Sequence, residues 1–281
     1  MKYHTLTKKH IAAYTGYLRR EERAAATVEK YSRDVCAFAE WLETRPVTKE
    51  IVTRWKEWLL EDSFSPATVN AKLSALNGLL RFLGWEECRV KFVKVQKRAF
   101  RDASRDLSRD EYRHLLDTAR MLGRERLELL LETICATGIR VSEVKYITVE
   151  AAAAGRTDIS LKGKIRTILL PAKLCHKLLK YAKTQKTVSG EIFLSENGTS
   201  LSRIQIGREM KRICKAAGVE PSKVFPHNLR HLFAATFYRV TKDIVKLADV
   251  LGHSSINTTR IYLLSTDAEH VRCLDRLGLV S

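Results

Sequence analysis

SPATVNAKLSALNGLLRFLG, residues 65–84, contains every signal of one complete helix. Ser65 supplies an N-cap hydroxyl, and Pro66 occupies the first helical position, where its missing N–H costs nothing. Val69, Leu73, Leu76, Leu80 and Leu83 recur at helical spacing and define one buried stripe. Gly84 is placed to end the helix. The same reading extends towards the N-terminus. From Thr27, residues Val28, Tyr31, Val35, Phe38 and Leu42 form a second stripe. Thr48 caps another helix, with Ile51, Trp55, Trp58 and Leu59 on one face. Residues 1–95 are therefore expected to form a helical bundle of about four helices.

Downstream the pattern breaks. Residues 89–106, RVKFVKVQKRAFRDASRD, hold seven basic and two acidic residues and no helical stripe. We expect a basic linker at 96–105 that lies along phosphates. Ser108 and Glu111 have capping-box spacing ahead of Leu115, Leu116 and Met121, which opens a second domain at 106–281. Helices are expected near 124–136 and 141–147. TDISL (157–161) and IRTILLP (165–171) flank Lys162-Gly163-Lys164 and alternate as a β-hairpin does. IFL (192–194) reads as a third short strand, and Ala151–Ala154 as a solvent-facing helical turn. From Leu201 the pattern is helical again. The fold class is mainly α: an N-terminal helical bundle, then a mostly helical domain with a small β-hairpin.

Composition narrows the function. Hydrophobic residues make up 45% of 281, enough for real cores. No run approaches the ~20 apolar residues of a membrane span, and no signal peptide is legible, so a cytoplasmic protein is expected. Six cysteines are scattered without metal-ligand spacing, as in a reduced chain. The net charge of +18 divides as +7 over residues 1–100 and +11 over the rest. Positive charge on both sides of the linker suits a clamp on nucleic acid. A membrane surface fits less well, because no amphipathic basic anchor helix is present.

Four words in the second domain carry candidate chemistry. Arg140 follows Ala-Thr-Gly-Ile; it reads as a phosphate clamp or as a surface arginine paired with Glu143 one turn on. His227 and Arg230 share a face just after Pro226, at a helix N-terminus suited to an anion, or simply form a surface pair. His231 points elsewhere and reads as structural. His253 follows Leu251-Gly252. Tyr262 lies between Ile261 and Leu263, where a tyrosine ordinarily fills a core.

Read together, ATGIRVSE (136–143), HNLRH (227–231), LGHSS (251–255) and TTRIY (258–262) resemble the tyrosine site-specific recombinases, or phage integrases. The resemblance covers nearly the whole chain, including TVEKY and SPATVNAKLSAL in the first domain. It implies a core-binding domain followed by a catalytic domain, of a compact Xer-like or mobile-element type. It implies Tyr262 as nucleophile, forming a 3′-phosphotyrosyl bond, and Arg140 and Arg230 as the clamp on the non-bridging oxygens; in the clamp reading of Arg140, Glu143 is the carboxylate that orients the cluster. His227 is implied as the acid/base helper and His253 as a hydrogen-bond donor to the phosphate. The hairpin lysine that protonates the leaving 5′-oxygen best matches Lys162, with Lys164 as the alternative. The chemistry needs no metal or other cofactor. The implied partner is double-stranded DNA with paired sites, bound by a homotetramer through the tail 266–281, where Ala268, Val271, Leu274 and Leu277 have helical spacing. Two other readings use the same residues: a catalytically silent DNA-binding protein of this fold, and a type IB topoisomerase.

Overall fold

The helix read at 65–84 is α4, Pro66–Phe82, capped by the Ser65 hydroxyl on the Thr68 N–H and followed by Gly84 at φ +71°. The computed structural model describes residues 3–95, 103–161, 164–263 and 275–276. It divides into two units, Met1–Lys97 and Arg98–Ser281. In the first unit, α1 (Lys8–Arg20), α2 (Ala25–Leu42) and α3 (Lys49–Glu61) join α4. Their core is Tyr14, Val35, Phe38, Trp55, Leu73, Leu76 and their neighbours. Trp58 is an exception to the expected α3 stripe: it is exposed, and Val52 takes the inner position.

Residues 89–95 differ from a solvated linker. Asn77 donates to Val90 O (3.0 Å) and accepts from Val90 N (3.2 Å). One helical face along, Asn70 does the same to Val93, at 2.9 and 2.8 Å. Two carboxamides seven residues apart thus act as a ladder that fastens an extended strand to α4, satisfying backbone groups that have no sheet partner. Asn77 is buried. Asn77→Ala leaves both Val90 groups unpaired, and we expect a loss of about 2 kcal/mol in urea unfolding. The half-buried Asn70 should cost less. Most of the expected linker 96–105 lies outside the described residues.

The second unit is arranged around α6 (Glu125–Thr137). Its buried positions, Leu127, Leu129, Leu130, Leu131, Thr133, Ile134 and Thr137, run almost around the helix, as suits a central element. It packs against α5 (Arg109–Met121), α8 (Ala172–Thr184) and α10 (Pro226–Thr241). The Ser108–Glu111 capping box forms, but Met121 in the last turn of α5 is exposed. The stretch 141–147 is a tight 3₁₀ turn, Val141–Tyr146, rather than an α-helix. α7 (Val149–Ala154) follows, with Ala151 and Ala152 buried, so this run is only half solvent-facing. Its packing against α8 needs small side chains there.

β1 (Arg156–Leu161) pairs antiparallel with β2 (Lys164–Leu169), setting Ile159 opposite Arg166. Alternation places Ile159, Arg166, Ile168 and Leu170 inside, and Ile165 and Leu169 outside. Arg166 is therefore a charge in a row of apolar residues. The segment 192–194 forms no third strand: only isolated bridges occur, Thr148 to Glu191 and Leu194 to Ser200. After α9 (Arg203–Arg212) and α10, the chain makes α11 (Ile244–Leu251), α12 (Ile256–Arg260) and a 3₁₀ turn, Ile261–Leu263. Ala234, Leu247, Leu251 and Tyr262 form a small core of their own. No helix among the described residues is long and apolar enough to cross a membrane.

Candidate active site

α6 ends on Gly138, whose φ of +62° turns the chain sharply. A Cβ there would collide with the Phe233 ring of α10 and sit 3.0 Å from Leu251 Cδ2. The glycine therefore lets α6, α10 and α11 meet, and it delivers Arg140 at the junction. The Arg140 N–H donates to Glu143 Oε2 at 2.8 Å, and its Nη1 to Oε1 at 2.9 Å. Glu143 is fully buried and accepts a second guanidinium, that of Arg166. Arg166 Nη2 goes on to Val250 O at 2.8 Å. Burial pushes the Glu143 carboxyl upward, but the Arg140 N–H and the two guanidiniums outweigh it and hold the group below the usual carboxylate range. The bland pairing of Arg140 with Glu143 and the phosphate-clamp reading are thus not alternatives: one buried carboxylate orients a half-exposed guanidinium.

Arg230 sits in the first turns of α10, which Pro226 opens. It is only 3% exposed. Its Nη1 donates to Gly138 O, and its Nη2 to Leu251 O at 2.8 Å and to His253 Nε2 at 2.9 Å. Two helix-end carbonyls thus hold this guanidinium: Gly138's own in the ATGIR word and, in the LGH word, that of Leu251 just before Gly252. Burial, then repulsion from Arg140, lowers the Arg230 pKa to about 10, so it stays charged at neutral pH.

His253 follows Gly252, which ends α11 in the left-handed region at φ +64°. A guanidinium has only donors, so His253 Nε2 must accept and Nδ1–H must donate to Thr259 Oγ1, 2.9 Å away. Burial, reinforced by Arg230, Arg140 and Arg166, lowers its pKa to about 4. An unfolded histidine takes up its proton near 6.5, whereas the folded one resists until about 4. Stability is therefore highest above 6.5 and falls as pH drops through that window. We expect His253→Gln to flatten this part of a Tm-against-pH curve. Because the ring is half-exposed, the change is a fraction of full linkage.

Tyr262 is 7% exposed and lies in the 3₁₀ turn after α12, not on the helix itself. Its phenol lies near the Arg230 guanidinium and helps to raise that group's pKa against burial. Three imidazoles surround the ring: His231 at 5.2 Å, His227 at 5.6 Å and His253 at 5.8 Å, the last stacked within 10°. His231, expected to be structural only, is a buried neighbour of the phenol ring, because α10 presents successive turns to the same small core. The structure brings Arg140, His227, Arg230, His253 and Tyr262 together around one point. Lys162 lies outside the described residues, and the hairpin brings only the backbone of Lys164 into view. Sequence reading missed Arg166. Its signal was a charge in phase with Ile168 and Leu170 on the inward face of a strand.

Three guanidiniums against one carboxylate leave two positive charges uncompensated in this cluster. Such a centre can neutralise an anion that gains charge as it reacts.

Comparison with known proteins accounts for both units. Residues 105–269 match the phage integrase family, and residues 11–87 match the phage integrase N-terminal SAM-like domain. The tyrosine recombinase XerD of Brucella melitensis is 31% identical over 272 residues, covering 86% of this chain and 88% of its own length. The tyrosine recombinase XerA of Pyrococcus furiosus is 28% identical over 291 residues, covering 100% and 98%. Among solved structures, a lambda integrase dimer bound to a COC′ core site has a TM-score of 0.74 at 19% identity, covering 92% of this chain and 95% of that one. A XerH recombinase bound to its difH substrate has a TM-score of 0.69 at 20% identity, covering 95% and 84%. These last two share the fold. With the catalytic match spanning more than half its length, the chain belongs to the phage integrase family of tyrosine recombinases.

Proposed function

We propose that this protein is a site-specific DNA recombinase in which Tyr262 opens a phosphodiester and stores it as a phosphotyrosine. The Tyr262 oxygen attacks phosphorus, and its proton passes to His227. The bond from phosphorus to the 5′-oxygen breaks, and that oxygen takes a proton from Lys162 of the β1–β2 turn, or from Lys164. The products are a 3′-phosphotyrosyl link and a free 5′-hydroxyl. A 5′-hydroxyl from the second duplex then attacks the phosphotyrosine, rejoining DNA and returning the phenol, so bond energy is conserved through a Holliday junction.

Arg140 and Arg230 hold the non-bridging oxygens. Arrival of the phosphate draws Arg230 Nη2 away from His253 Nε2 and places an anion beside the ring. The imidazole then gains a proton and becomes the donor that the free site does not offer. The observation that carries the reading is Tyr262 packed among three imidazoles beside a buried, still-charged guanidinium, in a cluster with surplus positive charge. The excess of 50 basic over 32 acidic residues supports a duplex partner.

In the same reading, residues 1–95 form the core-binding domain, 96–105 the basic linker, and 106–281 the catalytic domain. The working assembly is a homotetramer on two DNA sites, joined through the tail 266–281, nearly all of which lies outside the described residues. The protein works in the cytoplasm, where its DNA is.

The test uses a pool of randomised duplexes, each nicked near the centre so that the short cut strand diffuses away. Denaturant-resistant protein–DNA adducts are isolated and sequenced. Recombinase chemistry yields adducts enriched for one sequence. Relaxation of any supercoiled plasmid without sequence preference assigns a topoisomerase instead, and tight binding without adduct assigns a silent binder.

A further inference from the structure

Arg166 is the most heavily invested side chain in the site that has no assigned role. It is 9% exposed, inside a strand position where its neighbours are Ile168 and Ile159. One guanidinium nitrogen reaches Glu143 and another reaches Val250 O at 2.8 Å. Its aliphatic stem lies against Gly252, where any Cβ would overlap Arg166 Cδ and approach Cγ to 3.0 Å. Nε, also buried, finds no partner among the described residues.

A buried guanidinium with an unsatisfied nitrogen, close to two other guanidiniums, is unfavourable for folding alone. Burial is the leading reason its pKa is lowered, and the Arg140 charge lowers it further. An aliphatic residue would fill the strand's inward row at less cost. The two contacts explain what the arginine does instead. Glu143 is the carboxylate that aims Arg140. Val250 O is adjacent to Leu251 O, which holds Arg230, and two residues before the Gly252–His253 turn. One side chain therefore ties the β-hairpin to both halves of the phosphate clamp.

We propose that Arg166 is a positioning residue that fixes the spacing between Arg140 and Arg230 by bracing Glu143 and the C-terminal end of α11. It does not itself touch the scissile phosphate. This rests on the recombinase reading above. A displaced clamp loses transition-state stabilisation while DNA binding, spread over many basic residues, persists.

The experiment measures single-turnover adduct formation on a sequence recovered from the nicked-duplex pool. It compares an ordinary scissile phosphodiester with a methylphosphonate, which lacks one charged oxygen and needs less from the clamp. On the phosphodiester, Arg166→Gln should slow cleavage about 10²-fold. On the methylphosphonate its deficit should shrink to less than about threefold, as Arg140→Ala should also do. Glu143→Gln should behave alike, and the double variant should lose no more than the worse single one. Arg166→Lys, which can keep one contact, should fall between. Thermal unfolding checks each variant's fold. If Arg166→Gln unfolds, Arg166→Lys and Glu143→Gln carry the same comparison.

Equal losses on both substrates, or cleavage within threefold of the parent on the phosphodiester, would overturn the proposal. Failure of the parent protein itself to form any adduct would instead count against the recombinase reading.

Discussion

Tyr262→Phe is expected to abolish the denaturant-resistant adduct, a loss of about 10⁴-fold or more in cleavage rate. The substitution removes one oxygen and leaves the ring that packs with Ala234, Leu247 and Leu251. It also leaves His227, His231 and His253 their aromatic neighbour. What is lost is one hydroxyl near the Arg230 guanidinium. Stability should therefore change by no more than about 1 kcal/mol, and affinity for duplex DNA should hold. That separation is informative. A core tyrosine whose hydroxyl merely satisfies a neighbour predicts a small stability change and no catalytic phenotype. Tyr238→Phe, on α10 in the same aromatic group, is the control and should retain the adduct. Electrophoresis under denaturing conditions, with DNA labelled 3′ and 5′ in separate reactions, also reports polarity. Only the fragment whose 3′ end is at the break should travel with the protein.

How much of this was legible before the fold was known depends on the kind of signal. The caps at Ser65, Thr48 and Ser108 are local: hydroxyl, N–H and helix start lie within four residues, so sequence carries them completely. The ATGIR, HNLR and LGH words carried the site through their order and through resemblance, but not through any property of Arg140 or Tyr262 alone. Tertiary context was hidden where a residue breaks its local pattern for a distant partner. Arg166 reads as an ordinary hairpin arginine until the carboxylate 23 residues earlier is seen facing it. Asn70 and Asn77 interrupt an apolar stripe for the sake of Val93 and Val90. His231 stands one residue from Arg230, yet both are buried, because α10 is enclosed on more sides than a surface helix. Ala152 reads as harmless exposure but supports α7 on α8. Periodicity assigns a helix its faces only when one partner covers it.

Arg230→Gln is expected to be nearly as damaging as loss of the nucleophile, by a different route. The cluster holds guanidiniums 140, 166 and 230 around a single carboxylate, Glu143. A phosphodiester enters with one negative charge and approaches two in the pentacoordinate state, so the surplus of two positive charges matches the transition state better than the substrate. Removing Arg230 removes one of these charges and the donor that orients His253 Nε2. Loss of a single preorganised donor costs about 10²–10³ in rate, and here the charge is lost as well, so a fall of about 10³–10⁴-fold is expected. The fold should suffer far less. The guanidinium is desolvated, repelled by Arg140 and Arg166, and hydrogen-bonded to two carbonyls and a neutral imidazole. Glutamine keeps an amide donor for one of those acceptors and discards the repulsion. Single-turnover cleavage, thermal unfolding and DNA affinity measured on one preparation separate these terms. A large loss in the first with little change in the other two is the signature of charge stored for the reaction. Parallel losses in cleavage and unfolding temperature would make Arg230 a strut between α6 and α11 instead.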